Sequence, residues 1–260
     1  MHGRNIVRAV AVVSSRVRGR YAPPERAAGA APMHVEGTTL ERPSPAVQDY
    51  LKSIFQIAES GEHEGAITTS QVAESLSVTT ASASNMLKKL DGLGYVTQVK
   101  RQGVELTDLG RRAALEVVRH HRILETYLAT RLGMSWDEVH REAEVLEHHV
   151  SAALAERMAE VLGHPEHDPH GHPIPSAAGV VESPPVRRLS ELEAGARAAV
   201  ASVDDRDDAL LRFLAERGLV PGAALEVVAL APFGGPMSLR MDEDTVVDVP
   251  PAAAHAVHVQ

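Results

Sequence analysis

Residues 68–107, TTSQVAESLSVTTASASNMLKKLDGLGYVTQVKRQGVELT, decide the fold. Thr68 and Gln71 stand at capping-box spacing, where each side chain satisfies a backbone N–H of the other, so a short helix runs from there to about Leu76. Ser77–Thr80 turns the chain into a further helix, with Ala83, Met86, Leu87 and Leu90 recurring on one buried side. Gly94 stops that helix. Tyr95–Val99 and Val104–Thr107 then read as two strands about a turn at Arg101-Gln102-Gly103. Upstream, Ser44-Pro45 supplies the N-cap and first position of an amphipathic helix running to about Ser60 and ended by Gly61. Three helices followed by a hairpin make a winged helix-turn-helix.

In that motif the second helix of the pair enters the major groove, N-terminal end first. Its residues here are Thr79, Ala81, Ser82, Ser84 and Asn85, small enough for close approach, with Lys88 and Lys89 one turn on. Asn85 can pair with an adenine edge and an alanine can touch a thymine methyl. Lys100 and Arg101 in the wing offer charge to phosphates. Against Asp91 these four basic residues give a local +3 in a chain of net charge −9. The competing reading is a winged helix that binds protein and leaves the lysine pair solvated.

Further out, Asp108–Leu132 reads as a long helix closed by Gly133, and Ser135-x-x-Glu138 as a second capping box. One long helix is expected from Ser135 to Gly163. On it His140, Glu144, Glu147 and His148 fall at i, i+4, i+7 and i+8, within one sector of about 100°. Val139, Ala143, Leu146, Val150, Leu154 and Met158 fill an adjoining apolar sector. The preceding helix adds His121 and Glu125 at i, i+4, and a tight turn at Gly133 would lay the two helices antiparallel. Asp49 lies on the polar side of the first helix, within reach of both. Imidazole and carboxylate gathered from consecutive helices are the raw material of a divalent-ion site.

Residues 164–185, rich in Pro, Gly and His, read as a linker. Beyond Val186 come short strands (Leu225–Leu230, Met237–Met241, Thr245–Val249, Ala256–Val259) after one helix at about Asp207–Arg217, which suggests a small, mostly β barrel. The expected class is therefore mainly α, with a winged helix at 46–107, a helical metal-binding and dimerisation domain at 108–163 and the barrel at 186–260. Residues 1–45 carry five arginines before Tyr21 and a Pro/Ala/Gly stretch without period. They are expected to be a disordered tail, or an over-extended start with Met33 as initiator.

With 260 residues, 44% of them hydrophobic, two or three small cores are affordable. The absence of cysteine excludes disulfides, thiolate-zinc sites and a cysteine nucleophile. No apolar run approaches the roughly 18 residues of a membrane span, and a cytoplasmic protein without a small organic substrate is expected. Residues 137–168 hold nine acids against Arg141 and Arg157, a net −7, so most of the negative charge surrounds the candidate site.

The stretches VQDYLKSIFQI, RHHRILE, DEVHREAEVLEHHVS and DPHGHPIP, in that order behind a winged helix, resemble the diphtheria toxin repressor family of metal-dependent regulators. The resemblance covers roughly residues 46–260 and implies a homodimeric repressor of metal-homeostasis genes, bound to palindromic operator DNA, with an SH3-like C-terminal module. It places one metal site on Asp49, Glu144, Glu147 and His148. A second falls on His121, Glu125 and His140, with an ancillary ligand at Asp207 (Asp208 close behind) and Leu210 where the family can place a glutamine. Carboxylates at Asp49 and Glu144, where the iron-responsive branch resembles methionine and cysteine, point to Mn²⁺, with Fe²⁺ the alternative, because oxygen donors suit manganese and soft sulfur suits later metals. Two-domain manganese regulators carry a further glutamate where this chain has Lys52, so two separate sites are expected rather than a paired cluster. Metal would relieve repulsion among Asp49, Glu125, Glu144 and Glu147 and so fix the first helix. Of the linker histidines His164, His167, His170 and His172, none is placed in the ligand set. A rival of another class, a carboxylate-bridged di-iron helical enzyme, wants Glu-x-x-His on two helices, and the sequence contains none.

Overall fold

A computed structural model describes residues 42–60, 65–99, 102–182, 185–242 and 245–260. The N-terminal expectation therefore falls almost wholly outside the described residues, as do Lys100 and Arg101 of the wing. Helix α1 (Pro45–Glu59) buries Val47, Tyr50, Leu51, Ile54 and Phe55, the i, i+3, i+4, i+7, i+8 stripe of an amphipathic helix. The capping box that opens α2 (Thr69–Ser75) is formed in full by Thr68 and Gln71. Thr79 caps α3 (Thr80–Gly92) through the N–H of Ser82. Strands β1 (Val96–Val99) and β2 (Gly103–Leu106) pair antiparallel, and Ile67 adds a bridge to Val104. At Gly103, φ is +140° and a Cβ would stand 2.0 Å from the Ile67 carbonyl oxygen, so only glycine closes the wing onto this segment. These elements share one core, completed by Ala114, Leu115 and Val118 of α4 (Asp108–Leu132).

Helix α4 is the axis of the molecule. Its first half packs on α1, and its second half meets α5 (Val139–Leu146) and α6 (Ala152–Leu162) in a separate core around Ile123, Leu124, Ala143, Val150, Ala155 and Ala159. Buried on more than one side, α4 carries His120, His121 and Glu125 inside the protein.

The single helix expected from Ser135 to Gly163 is two helices. Ser151 is extended (φ −79°, ψ 153°) and its hydroxyl accepts from the Leu154 N–H, so it starts a new helix instead of continuing the old one. The turn between α5 and α6 carries Glu147 inward, and regular helix begins only at Val139.

Residues 164–182 pack rather than dangle. The Asp168 carboxylate accepts from the N–H groups of His170 and His172, 2.8 and 2.9 Å away, making a tight turn. Arg122 donates to the Pro173 carbonyl and Arg119 to that of Pro175. Gly171 has φ +90° and a Cβ there would meet the Ala201 carbonyl oxygen at 2.1 Å. This segment is thereby seated on β4 (Arg197–Val203), whose Val203 N–H donates to the His170 carbonyl.

The C-terminal unit is a six-stranded antiparallel sheet in the order β3-β8-β4-β5-β6-β7, comprising β3 (Arg187–Arg188), β4, β5 (Ala224–Leu230), β6 (Met237–Arg240), β7 (Val246–Val249) and β8 (Val257–Val259). Helices α7 (Asp208–Glu216) and α8 (Pro251–His255) close its core of Leu189, Leu211, Leu214, Val227, Leu239 and Val257. Sequence reading missed β3, β4 and α8. Strand β4, ARAAVASVD in outline, lacks the clean alternation that marks a strand with one wet face.

Candidate metal centre

Two groups of ligand-type side chains meet where α1, α4, α5 and the C-terminal unit converge. In the first, Asp49 from α1 and Glu147 and His148 from the α5–α6 turn bring one donor atom each within 4.8 Å of one another, and so do His121, Glu144 and Glu147. His148 Nε2 lies 2.8 Å from Asp49 Oδ1. Its other nitrogen, Nδ1, lies 2.7 Å from Gln48 Oε1, and Gln48 donates its amide to the Pro43 carbonyl at 2.9 Å. That chain fixes the orientation of the Gln48 amide and makes it the acceptor for Nδ1–H, which leaves Nε2 as the ligating nitrogen. A cavity of about 400 Å³ opens onto this group, lined by Asp49, Lys52, Glu144 and His148, with Arg206 of the C-terminal unit.

Lys52 occupies the middle of the first group. Its Nζ lies 2.6 Å from Glu144 Oε1 and 2.7 and 2.9 Å from the two oxygens of the fully buried Glu147. Burial works against the charge on Lys52, but Glu147 and Glu144 outweigh it and hold the amine above its ordinary range. The carboxylates expected to repel one another are thus paired. Asp49 sits on His148, Glu144 and Glu147 on Lys52, and Glu125 on two imidazoles.

The second group gathers around Glu125, which is fully buried. Glu125 Oε1 is 2.9 Å from His121 Nε2, 3.1 Å from His140 Nδ1 and 3.6 Å from His170 Nδ1. Asp205, from the loop before α7, lies 3.7 Å from His140 and 3.4 Å from His172. His121, Glu125, His140 and Asp205 form one set of convergent donors, and Glu125, Asp168 and His170 another. His170 is held from behind, its Nε2 3.0 Å from the Trp136 carbonyl, so Nδ1 is the nitrogen turned toward Glu125.

His121 belongs to both groups, with Nδ1 2.5 Å from Glu147 Oε2 and Nε2 toward Glu125. Burial opposes its charge, yet Glu125 and Glu147 together push it up to about 10. His170 is pushed up to about 9 against its burial by the Glu125 carboxylate. Glu125 and Glu147 are held below the carboxylate range against their burial, both by His121 and Glu147 also by Lys52.

The donor set fits a divalent cation. Among the described residues, buried Glu125 Oε2 makes no hydrogen bond, and neither do Asp168 Oδ2, with His172 at 3.4 Å and Arg122 at 3.7 Å, and His170 Nδ1, with Glu125 at 3.6 Å; a bound cation is one way such buried atoms are satisfied. All donors are carboxylate oxygen or imidazole nitrogen. Seven of the eight residues expected from the sequence lie in the two groups. Asp207 does not: its carboxylate accepts from the N–H groups of Ala209 and Leu210 and caps α7. Asp205, two residues earlier, faces the donors instead. Asp168, His170 and Asp205 were not placed in the ligand set by the sequence, although DPHGHPIP signalled a tight turn.

On α3, Thr79, Ala81, Ser82, Asn85, Lys88 and Lys89 are exposed and Ser84 is half-buried. The Thr79 and Ser82 hydroxyls contact each other at 2.9 Å, so part of their hydrogen-bonding capacity goes to the cap. The helix therefore offers Ala81, Asn85 and the lysine pair most freely.

A winged helix whose first helix is tied to buried cation ligands defines a metal-responsive DNA-binding protein. Residues 44–104 match the iron dependent repressor N-terminal DNA binding domain, 107–176 the iron dependent repressor metal binding and dimerisation domain, and 187–260 the FeoA domain. The iron-dependent repressor IdeR of Mycobacterium tuberculosis (strain ATCC 25618 / H37Rv) is 31% identical over 223 residues, covering 81% of this chain and 95% of the relative. The HTH-type transcriptional regulator MntR of Geobacillus kaustophilus (strain HTA426) is 32% identical over 126 residues, 48% of this chain and 86% of the relative. Among solved structures, a manganese-dependent transcriptional repressor in complex with manganese is 43% identical, with a TM-score of 0.75 over 82% of this chain and 99% of that one. The chain belongs to the diphtheria toxin repressor family of metal-dependent transcriptional regulators, in its three-domain form, and is not an enzyme.

Proposed function

We propose that the protein is a Mn²⁺-activated, homodimeric repressor of metal-ion homeostasis genes, acting in the cytoplasm on palindromic operators. The observation that carries this reading is the position of the donors, at the joint between the DNA-binding helices, α4–α5 and the C-terminal unit. Asp49, Glu144, Glu147 and His148, with His121 Nδ1 beside them, would hold one ion. Glu125, His140, Asp168, His170 and Asp205, with His121 Nε2 beside them, would hold the other. A divalent ion supplies two positive charges and directional bonds to oxygen and nitrogen donors.

The chain's own residues do the rest. Asp49 and Lys52 tie α1 to the α5–α6 turn, Gln48 orients His148 and links it to the start of α1, and His121 gives up a proton to ligate. Fixing α1 fixes the angle of α3, and two α3 helices held at one half-site spacing read a palindrome. The dimer reading is supported by apolar side chains left exposed on one chain around α5 and α6: Leu132, Val145, Leu146, Leu154 and Val161. Among the described residues no helix is long and apolar enough to cross a membrane.

Manganese is favoured by the sulfur-free donor set. Fe²⁺ is the second reading, favoured by the likeness to IdeR. The test is fluorescence anisotropy on duplexes selected from a random palindromic pool, titrated anaerobically with Mn²⁺, Fe²⁺, Co²⁺ and Zn²⁺. Co²⁺ and Zn²⁺ should bind at lower free concentrations, as their higher intrinsic affinity for oxygen and nitrogen donors requires, and Mn²⁺ should be distinguished by giving the fullest operator binding at saturation. DNA binding indifferent to a chelator would end the proposal.

A further inference from the structure

We infer that Trp136 is a positioning residue for the second metal group: its indole holds the His170 ring in ligating orientation and seats the C-terminal unit beside it, a role that stands on the metal-site reading above. Trp136 is the chain's only tryptophan. It lies in the turn between α4 and α5, where the N–H groups of Glu138 and Val139 both donate to the Ser135 carbonyl. Three parts of the residue bear on the 168–172 turn. The indole ring stacks on the His170 imidazole, with centroids 5.4 Å apart and planes inclined by 30°. Its Nε1–H donates to the Pro169 carbonyl at 2.9 Å. The backbone carbonyl lies 3.0 Å from His170 Nε2 and accepts its proton.

These contacts fix different degrees of freedom. The carbonyl decides which nitrogen keeps a proton when the ring ligates, and leaves Nδ1 for the metal. An imidazole that donates one hydrogen bond can still turn about that bond, and the indole face sets its plane. The bond to Pro169 in turn holds the indole against the segment that carries His170. Glu125 cannot do this work, since His170 Nδ1 stands 3.6 Å from it, beyond hydrogen-bonding distance. Trp136 also packs against the core of the C-terminal unit. Arg212 pairs with Asp137 at 2.8 Å and Arg141 with Asp208 at 3.5 Å nearby. Both arginines are exposed, so these pairs contribute little to attachment, and the apolar contact of the indole is the stronger anchor of this turn. The unit so anchored supplies Asp205, 3.7 Å from His140. Trp136 thereby serves two donors of the second group, His170 by direct contact and Asp205 through the unit that carries it.

The test uses the full chain with Mn²⁺ as probe. Trp136→Leu keeps an apolar side chain for the C-terminal core but has neither ring nor N–H. Mn²⁺ affinity at the Glu125 group should fall by roughly 10- to 100-fold, the range for a lost partner behind a metal-binding histidine. Trp136→Phe restores a ring face and should recover most of that affinity. In an Asp205→Asn background, where the Glu125 group is already weakened, Trp136→Leu should leave Mn²⁺ at the Asp49 group unchanged, whereas general loosening of the fold would lower it. The native indole gives a second readout, because paramagnetic Mn²⁺ quenches emission close to it. That quenching should persist in Asp49→Asn and move to higher Mn²⁺ in His140→Gln. Trp136→Leu with wild-type affinity at the Glu125 group overturns the inference, as does Trp136→Phe no better than Trp136→Leu, or a loss at the Asp49 group in the Asp205→Asn background. If Trp136→Leu does not fold, the emission decides alone, and emission that ignores filling of the Glu125 group overturns the inference. Wild type that binds no Mn²⁺ would instead overturn the metal-site reading.

Discussion

Mn²⁺ binding should be steeply pH-dependent, and the steepness follows from two buried imidazoles. His121 is pushed up to about 10 and His170 to about 9, so both carry a proton near neutrality where a free imidazole, at about 6.5, is mostly bare. A nitrogen that ligates a metal must first lose its proton. Below pH 9, therefore, two protons leave per chain when both groups fill, and the product of the two binding constants should rise about a hundredfold per pH unit. Between pH 9 and 10 only His121 still resists, and the slope should drop to about one proton.

The accessible window is pH 6.5–8.5, which lies wholly on the steep part. Mn²⁺ affinity would be measured there by competition with a fluorescent chelator, and proton release by calorimetry in buffers of different ionisation enthalpy. The wild type should release about two protons per chain, and His170→Gln about one. A combined slope below about 0.5, or proton release independent of His170, would refute the reasoning. The linkage also has a sign in the metal-free protein. Because both values are raised on folding, their stabilising contribution is complete below about pH 6.5 and is lost as pH climbs through 9 and 10. The metal-free Tm should therefore decline on the alkaline side, and bound Mn²⁺ should blunt that decline.

Glu144→Ala should abolish Mn²⁺-dependent operator binding while light scattering still reports a dimer, because Lys52 keeps Glu147 as a partner and Glu144 is partly exposed. Gln48→Leu removes the acceptor that orients His148, and Mn²⁺ affinity at the first group should fall by 10- to 100-fold, the usual range for a lost outer partner, with circular dichroism unchanged. Lys88→Ala with Lys89→Ala should weaken DNA binding across all sequences and, with two lysines lost from each chain of the dimer, flatten the slope of log K against log salt by about 4, whereas Asn85→Ala should relax base preference at one position of each half-site, read from competition with single-base operator variants.

The winged helix was legible because its signals are local. A capping box, a run of small residues and two glycine stops each act within a few positions, and the structure places α2, α3 and the hairpin within a residue or two of the expected bounds. The α5–α6 break was harder, because helical periodicity carries across Glu147–Val150 without a proline or glycine to interrupt it. What breaks it is tertiary: Glu147 turns inward to Lys52 and His121, and Ser151 can restart the helix. Ligand types were readable from spacing on α4 and α5, since residues four apart on a helix must be neighbours. Asp205 and His170 were not, because they come from irregular chain, where separation along the sequence says nothing about separation in space. The choice of Asp207 over Asp205 shows the limit: an acidic residue at the start of a helix is equally suited to capping it, and here the cap claims it.

The shared imidazole gives the three-domain design a physical rationale. One group ties α1 to the α5–α6 turn, and the other ties α4 to the 164–182 segment and to Asp205 of the C-terminal unit. His121 stands between them, with Glu147 on one nitrogen and Glu125 on the other. An ion held by the Glu125 group would take Nε2 in place of its proton, which would withdraw positive charge from beside Glu147 and leave that carboxylate a stronger donor to the first group. The C-terminal unit, by supplying Asp205 and seating His170 through β4, would thereby bear on α1, the helix that positions α3. Coupling of this kind needs no large movement, only a change in which cation each of two buried carboxylates faces. Its strength is a coupling free energy and must be reciprocal: an ion in the Glu125 group should tighten Mn²⁺ at the Asp49 group by the same factor that an ion in the Asp49 group tightens it at the Glu125 group, and Asp205→Asn, which weakens the Glu125 group, should remove much of that gain at the Asp49 group. An Asp205→Asn protein whose Asp49 group binds Mn²⁺ as in the wild type would mean that His121 does not carry the coupling.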